Sequence, residues 1–276
     1  MKYFTLLFTS LLLITTSCVK ISSSDGKSGG NGIDFSWNGN EGKGPIKEKT
    51  INENFTGIEV SNAIKTEVYK SDVSKVVISA PDDILDFIDA TLQDDGSMKI
   101  GVKSNSSWKN SISTNKVLVK VYAKNLEKIE ANSSGEIFLK NQFSGNEMAA
   151  KVSSSGSING DLQYNKLSLK VSSSGDFLGK IWADVGTIEV SSSGTIKVEG
   201  KIQNGDLSAS SSGDIYGENL EIKRGTMKAS SSGDIKAMVS EKIDASASSS
   251  GSIKIKKIGN PAISKSESSS GSVSVN

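Results

Sequence analysis

A serine-glycine signature returns through the second half of the chain at nearly constant spacing. No other feature of the sequence constrains the fold as much. The glycines are Gly135, Gly156, Gly175, Gly194, Gly213, Gly233, Gly251 and Gly271, with successive gaps of 21, 19, 19, 19, 20, 18 and 20 residues. Seven close the string SSSG and the first closes NSSG. Self-similarity at this period marks an array of small units that bury their apolar faces only against one another.

Alignment on the glycine shows what each unit contains. Two positions after it stand Ile137, Ile158, Phe177, Ile196, Ile215, Ile235, Ile253 and Val273. Four before it stand Ala131, Val152, Val171, Val190, Ala209, Ala229, Ala247 and Glu267, and six before it Ile129, Ala150, Leu169, Ile188, Leu207, Met227, Ala245 and Lys265. The positions between are mostly polar. This is period-two alternation, the pattern of a strand with one buried face. Two short strands with turns fill about 20 residues, which leaves no room for a helix.

An antiparallel meander would pair unlike strands. A parallel β-helix instead stacks each coil on the last, about 4.8 Å apart, so that equal positions meet. The like-for-like columns select the β-helix, an all-β solenoid with coils of about 20 residues, and parallel crossovers default to right-handed winding. At each corner the glycine is expected to take a positive φ, where a Cβ would clash. Continued alternation points the middle serine inward, giving a ladder of Ser133, Ser154, Ser173, Ser192, Ser211, Ser231, Ser249 and Ser269.

The stack is expected to begin before residue 129. The segment FTGIEVSNAIKTEVYK has the same layout, with Asn62-Ala63 at the corner. Residues 49–130 read as irregular first coils that cap the array, with a helical turn near Asp83 to Ile88 and a hairpin-like turn at Asp94 to Ser97. The C-terminal coil ends without a cap, so an open end that pairs with a second copy is one expectation.

The first residues, MKYFTLLFTSLLLITTSC, place a lysine before an apolar run and small residues before the only cysteine. This is the layout of a secretory signal over 1–17. The run resembles a relaxed bacterial lipobox, and that resemblance implies cleavage before Cys18, lipidation of Cys18 and an outer-membrane location in the cell envelope. Residues 18–48, rich in Gly, Ser, Asn and Lys, read as a flexible tether. The folded part is expected over 49–276.

The chemistry is narrow. Histidine is absent, which removes the commonest general base and metal ligand. One cysteine excludes an intrachain disulfide and a thiolate zinc cluster. With 32 basic and 31 acidic residues the net charge is +1, so nothing points to a nucleic-acid partner. No cofactor is expected.

The lipobox, the F-x-x-I-x-V entry at Phe55 to Val60 and eight S-G turns in phase resemble the head GIN domain family of auto-transporter adhesins, across roughly 50–276. The resemblance implies a right-handed β-helix in a Bacteroidetes-type envelope protein, with adhesion as its role and no catalytic residues.

Three residues are weak ligand candidates. Asp214 and Asp234 follow the turn glycine on adjacent coils, in the manner of a calcium site or the acid pair of a polysaccharide hydrolase. A solvated turn, where aspartate is favoured, accounts for them as well. Trp182, read as part of a return loop, is the best placed of three tryptophans to stack on a sugar ring; Trp37 and Trp108 are the others. Three functions therefore stand open: an adhesion module that binds glycan or surface protein, a carbohydrate-active β-helix enzyme, and a structural envelope component without an external ligand. The first fits the residues best.

Overall fold

Successive coils lie in parallel, and their columns match the alignment on the turn glycine. The computed structural model describes residues 42–103 and 112–276. In the regular array, strands before each corner are β8 (Lys128–Ala131), β10 (Phe143–Val152) and β12 (Leu162–Val171). Strands after it are β9 (Glu136–Leu139) and β11 (Ser157–Asn159). From the next coil the return segment also becomes extended. Each strand then runs from one corner to the next: β13 (Asp176–Val190), β14 (Thr195–Ala209), β15 (Asp214–Ala229) and β16 (Asp234–Ala247). The array ends with β17 (Ser252–Lys257), β18 (Ala262–Glu267) and β19 (Ser272–Val275).

Register shows why equal letters recur. Ile196 pairs Phe177 on one side and Ile215 on the other, and Ile235 pairs Ile253. All five are buried to within 1 % of complete. A β-branched residue in an extended strand loses little extra rotamer freedom and packs on its own copy one coil away. Truncating one such residue to alanine removes about 2–5 kcal/mol. Coil length varies without disturbing the corners. The extra residue after Gly213 is absorbed by bulges between Lys197 and Glu199 and between Tyr216 and Glu221.

The corners correct two expectations. All eight middle serines are exposed: Ser133, Ser154, Ser173, Ser192, Ser211, Ser231, Ser249 and Ser269. The turn glycines, not these serines, face the interior, and Gly135 through Gly251 are buried. The positive φ also belongs to serine. The middle serines have φ between 47 and 52°, and the serines after them between 61 and 65°. None of the eight turn glycines has a positive φ. Each corner is a tight two-residue turn closed by the glycine N–H donating to the carbonyl three residues back, as in Gly194 to Ser191 at 3.0 Å. The paired left-handed residues reverse the chain and swing the middle serine outward, so strand alternation does not carry through the turn.

Before this array, the order of coils in space departs from their order in sequence. Strands β2 (Gly57–Val60) and β3 (Lys65–Lys70) form one coil around Asn62 and Ala63, whose φ values of 60 and 53° repeat the serine corner. This coil is sandwiched. On its inner side lie β8 and β9, and on its outer side lie β6 (Ser97–Val102) and β7 (Leu118–Ala123). Antiparallel strands then finish both sheets: β5 (Ile88–Leu92) on β6, β4 (Lys75–Pro81) on β7, and β1 (Ile46–Ile51) on β4. A 3-10 turn at Leu85–Phe87 and the Gln93 to Ser97 hairpin turn stand where the sequence places them. The strand β1 claims Ile46 to Glu48 from the expected tether.

The C-terminal end carries its own cover. Lys265 and Glu267 pair with Ala245 and Ala247 and so occupy the inward columns of the last coil. Lys265 Nζ donates to the Val273 carbonyl at 3.1 Å, and the Val273 N–H donates to the Glu267 carboxylate. Two charges thus reach across the coil end to the opposite sheet, over the side chains beneath. Inward-pointing charge of this kind protects a sheet edge against further pairing.

Candidate binding surfaces

The serine corners form a continuous outer ridge. The second serine of each corner donates its N–H to the middle serine of the next: Ser134 to Ser154 at 3.0 Å, Ser155 to Ser173 at 3.1 Å, and so on to Ser250 and Ser269 at 3.2 Å. The N–H of each second serine and the carbonyl of each middle serine are therefore consumed between corners, and the serines themselves are exposed. The serine ladder exists, built of main chain and not of inward hydroxyls. Its glycines are required by contact. A Cβ on Gly156 would stand 2.5 Å from the Ala131 carbonyl oxygen, and one on Gly251 would stand 2.5 Å from the Ala229 carbonyl carbon.

Asp214 and Asp234 are Cα partners on adjacent coils, in the column that also holds Glu136, Ser157, Asp176 and Thr195. Asp214 accepts a hydrogen bond from the Tyr216 hydroxyl at 3.1 Å. That bond holds the phenol above its usual pKa range. The ammonium of Lys236 lies 4.8 Å from the Tyr216 ring centroid and 3.1 Å from Glu218. The aspartates thus belong to a network of aromatic and basic neighbours. Among the described residues, no group of three or more acidic, histidine or cysteine side chains is placed to hold a metal ion.

Trp182 belongs to a strand, not a loop. It lies within β13, half-buried, between Gln163 of β12 and Lys201 of β14 in one outward column. The next outward column holds Asn165, Asp184 and Gln203. Beneath runs the buried column of Tyr164 and Ala183, with the exposed Gly145 as the Cα partner of Tyr164 on the preceding coil. Tyr164 is 3 % exposed, and its hydroxyl donates to the Leu126 carbonyl at 2.8 Å. Burial raises its pKa. Gly145 has no side chain, and the Tyr164 ring fills that position, 2.9 Å from where a Cβ would stand. On the other side of the ring stands Ala183, whose methyl takes little room. A recess of about 240 Å³ opens there, lined by Trp182 and its neighbours.

Sequence reasoning singled out Trp182 but passed over its companions Gly145, Gln163, Asp184 and Gln203. The signal was present: Ser144, Gln163, Trp182 and Lys201 recur every 19 residues, the coil length of that region. Cys18, Trp37 and Trp108 lie outside the described residues.

Ion pairs between successive coils dress the long sides. Examples are Lys151–Glu130 at 2.9 Å, Lys170–Glu189 at 3.0 Å and Lys201–Glu221 at 2.8 Å. The Lys201 ammonium and the Ser240 hydroxyl hold Glu221 below its usual range. Each exposed pair contributes little to stability. Together they neutralise the sides and keep charge from concentrating in one place. No helix among the described residues is long and apolar enough to cross a membrane.

Comparison with known proteins agrees with this geometry. A family model described as "Putative auto-transporter adhesin, head GIN domain" matches residues 54–261. A solved structure of a putative adhesin from Parabacteroides distasonis superposes with a TM-score of 0.77 at 21 % identity, covering 86 % of this chain and 99 % of that one. A putative lipid binding protein from the same organism gives 0.76 at 23 % identity, covering 86 % and 98 %. A putative adhesin from Bacteroides fragilis gives 0.61 at 19 % identity, covering 85 % and 98 %. No curated protein sequence matches the chain. The structural neighbours share the fold, and the family match spans most of the solenoid: the chain belongs to the head GIN domain family.

Proposed function

We propose that this protein is a non-catalytic adhesion module, held at the outer membrane of the cell envelope by a lipid on Cys18. The observation that carries the reading is the register of the array. From β10 to β19 the columns flanking each corner stay aligned coil after coil, with bulges confined to the return segments, which gives a stiff ridged side suited to multipoint binding. Of the acidic pair an enzyme would need, Asp214 is hydrogen-bonded by the Tyr216 hydroxyl. The family's name and the adhesin titles of the structural neighbours support the same role. Cell anchoring rests on the lipobox-like residues before Cys18, since several acyl chains on one residue anchor stably where one does not.

The test uses the full chain in its own cells. Wild type should fractionate with the outer membrane, be cleaved by protease added to intact cells, and support attachment to a glycan- or protein-coated surface. Cys18→Ser should release it from the membrane and abolish attachment. Attachment unchanged by deletion of the protein, or complete protection from external protease, would overturn the reading.

A further inference from the structure

We infer that the recess beside Trp182 is a subsite for one neutral pyranose ring of a glycan; the inference rests on the adhesion reading and supplies its ligand class. Four observations carry it. Trp182 is half-buried, so its indole is held in place yet keeps part of its surface open to solvent. No other ring stacks on it among the described residues. An aromatic face held in this way takes the apolar C–H face of a sugar ring.

The rim supplies hydrogen bonds of the right kind. Gln163 gives its amide oxygen to Gln142 at 2.8 Å, which leaves its NH2 to donate. Gln203 and the Asp184 carboxylate have no side-chain partner among the described residues, and Asp184 is exposed. Amides and a carboxylate bond to sugar hydroxyls as donors and paired acceptors.

Size and charge narrow the ligand. At about 240 Å³ the recess is smaller than the roughly 300 Å³ at which sites for drug-sized ligands begin. It therefore holds one ring, and the rest of a chain must pass over neighbouring coils. Lys201 is committed to Glu221 at 2.8 Å, so the unpaired charge at the rim is the carboxylate of Asp184. An anionic sugar would meet that charge and be disfavoured. Uronic and sialic acids are thereby excluded, and neutral hexoses and N-acetylhexosamines remain.

A single ring in a shallow site binds weakly, so the test uses multivalent display. Full-length protein in detergent would be applied to immobilised polymers carrying glucose, galactose, mannose or N-acetylglucosamine, and to polymers carrying glucuronic or N-acetylneuraminic acid. Wild type should retain at least one neutral polymer and neither acidic one. Trp182→Ala should weaken that retention at least tenfold, Trp182→Phe should restore most of it, and Asp184→Asn should weaken it while relaxing the exclusion of acidic sugars. Trp182 is half-buried, so Trp182→Ala should lower the melting temperature by a few degrees, whereas Trp182→Phe and Asp184→Asn should stay close to wild type, and retention is compared at a temperature where all remain folded. Retention equal in wild type and Trp182→Ala, or no retention of any neutral polymer, would overturn the subsite. Cell attachment that survives in Trp182→Ala would leave the adhesion reading standing without it.

Discussion

The Ser193 N–H donates to the carbonyl of Ser211 at 3.2 Å, from one left-handed corner to the next. Both residues have positive φ, 62 and 52°. An L-residue in that region gives up roughly 1–2 kcal/mol. Sixteen serines accept this strain, and in return the second serine's N–H meets the middle serine's carbonyl one coil on at every level of the array.

Substitutions at Ser192 separate φ strain from packing. Ser192→Val places a β-branched side chain at φ 51° and should cost at least about 1 kcal/mol. Ser192→Gly relieves the strain and should match or exceed wild type. A change at exposed Lys197 to threonine should be neutral. Melting temperature reads the order, at about 2–4 °C per kcal/mol for a chain of this size. Equal melting temperatures for the valine and glycine variants would show that the corner conformation carries no strain.

The corner glycines should behave differently from a glycine in open space. At Gly251 an added Cβ meets main-chain atoms of Ala229 at 2.5 and 2.6 Å, which yield only if two coils separate. Gly251→Ala should cost more than the about 1–3 kcal/mol of ordinary overpacking. Gly259 has φ 72° and nothing within 4 Å, so Gly259→Ala should cost only the left-handed penalty of about 1 kcal/mol. Urea unfolding of the two variants measures the gap.

These corners also show how far the sequence could be read. The columns of Ile196, Ile215 and Ile235 were legible because a 19- or 20-residue spacing and a period of two are both visible in one chain. The outward turn of Ser192 was not, because parity counts residues and a two-residue left-handed turn breaks the count. Glycine was the expected owner of positive φ, yet its small size is used for contact with the coil below. The placement of Gly57–Val60 between Ser97–Val102 and Lys128–Ala131 was also hidden, since either register satisfies the same alternation. At the candidate site Trp182 stood out as a rare residue, whereas Gln163 and Gln203 matter only once the coils are stacked.

The end cover predicts an oligomeric state. Lys265 and Glu267 replace apolar residues in their columns and bond to Val273. The double change Lys265→Ile, Glu267→Val restores the apolar columns and leaves the backbone edges of β18 and β19 open to another copy. This variant should associate end to end, as dimers or longer species in sedimentation velocity, and wild type under the same conditions should not. Association of wild type that is unaffected by the double change would place any interface elsewhere.

Acid should loosen the N-terminal coils first. Asp95 accepts from Lys128 Nζ at 2.7 Å and from the Ser97 N–H at 3.0 Å. Gly57, between the two strands, has no side chain to obstruct the bridge. These bonds, that to Lys128 foremost, lower the carboxyl from 3.8 to about 2. A carboxyl depressed in the folded state contributes stability that is complete above its unfolded value and is lost as pH falls through the folded one. Melting temperature should therefore decline between about pH 4 and pH 2. Asp95→Asn should lower it at neutral pH and flatten that decline. Because the pair is exposed and screened by salt, 1 M NaCl should shrink the difference between the two proteins. A decline of the same steepness in Asp95→Asn would assign the acid sensitivity to other carboxylates, of which Glu67, held low by the Tyr69 hydroxyl and Lys140, is the next to replace.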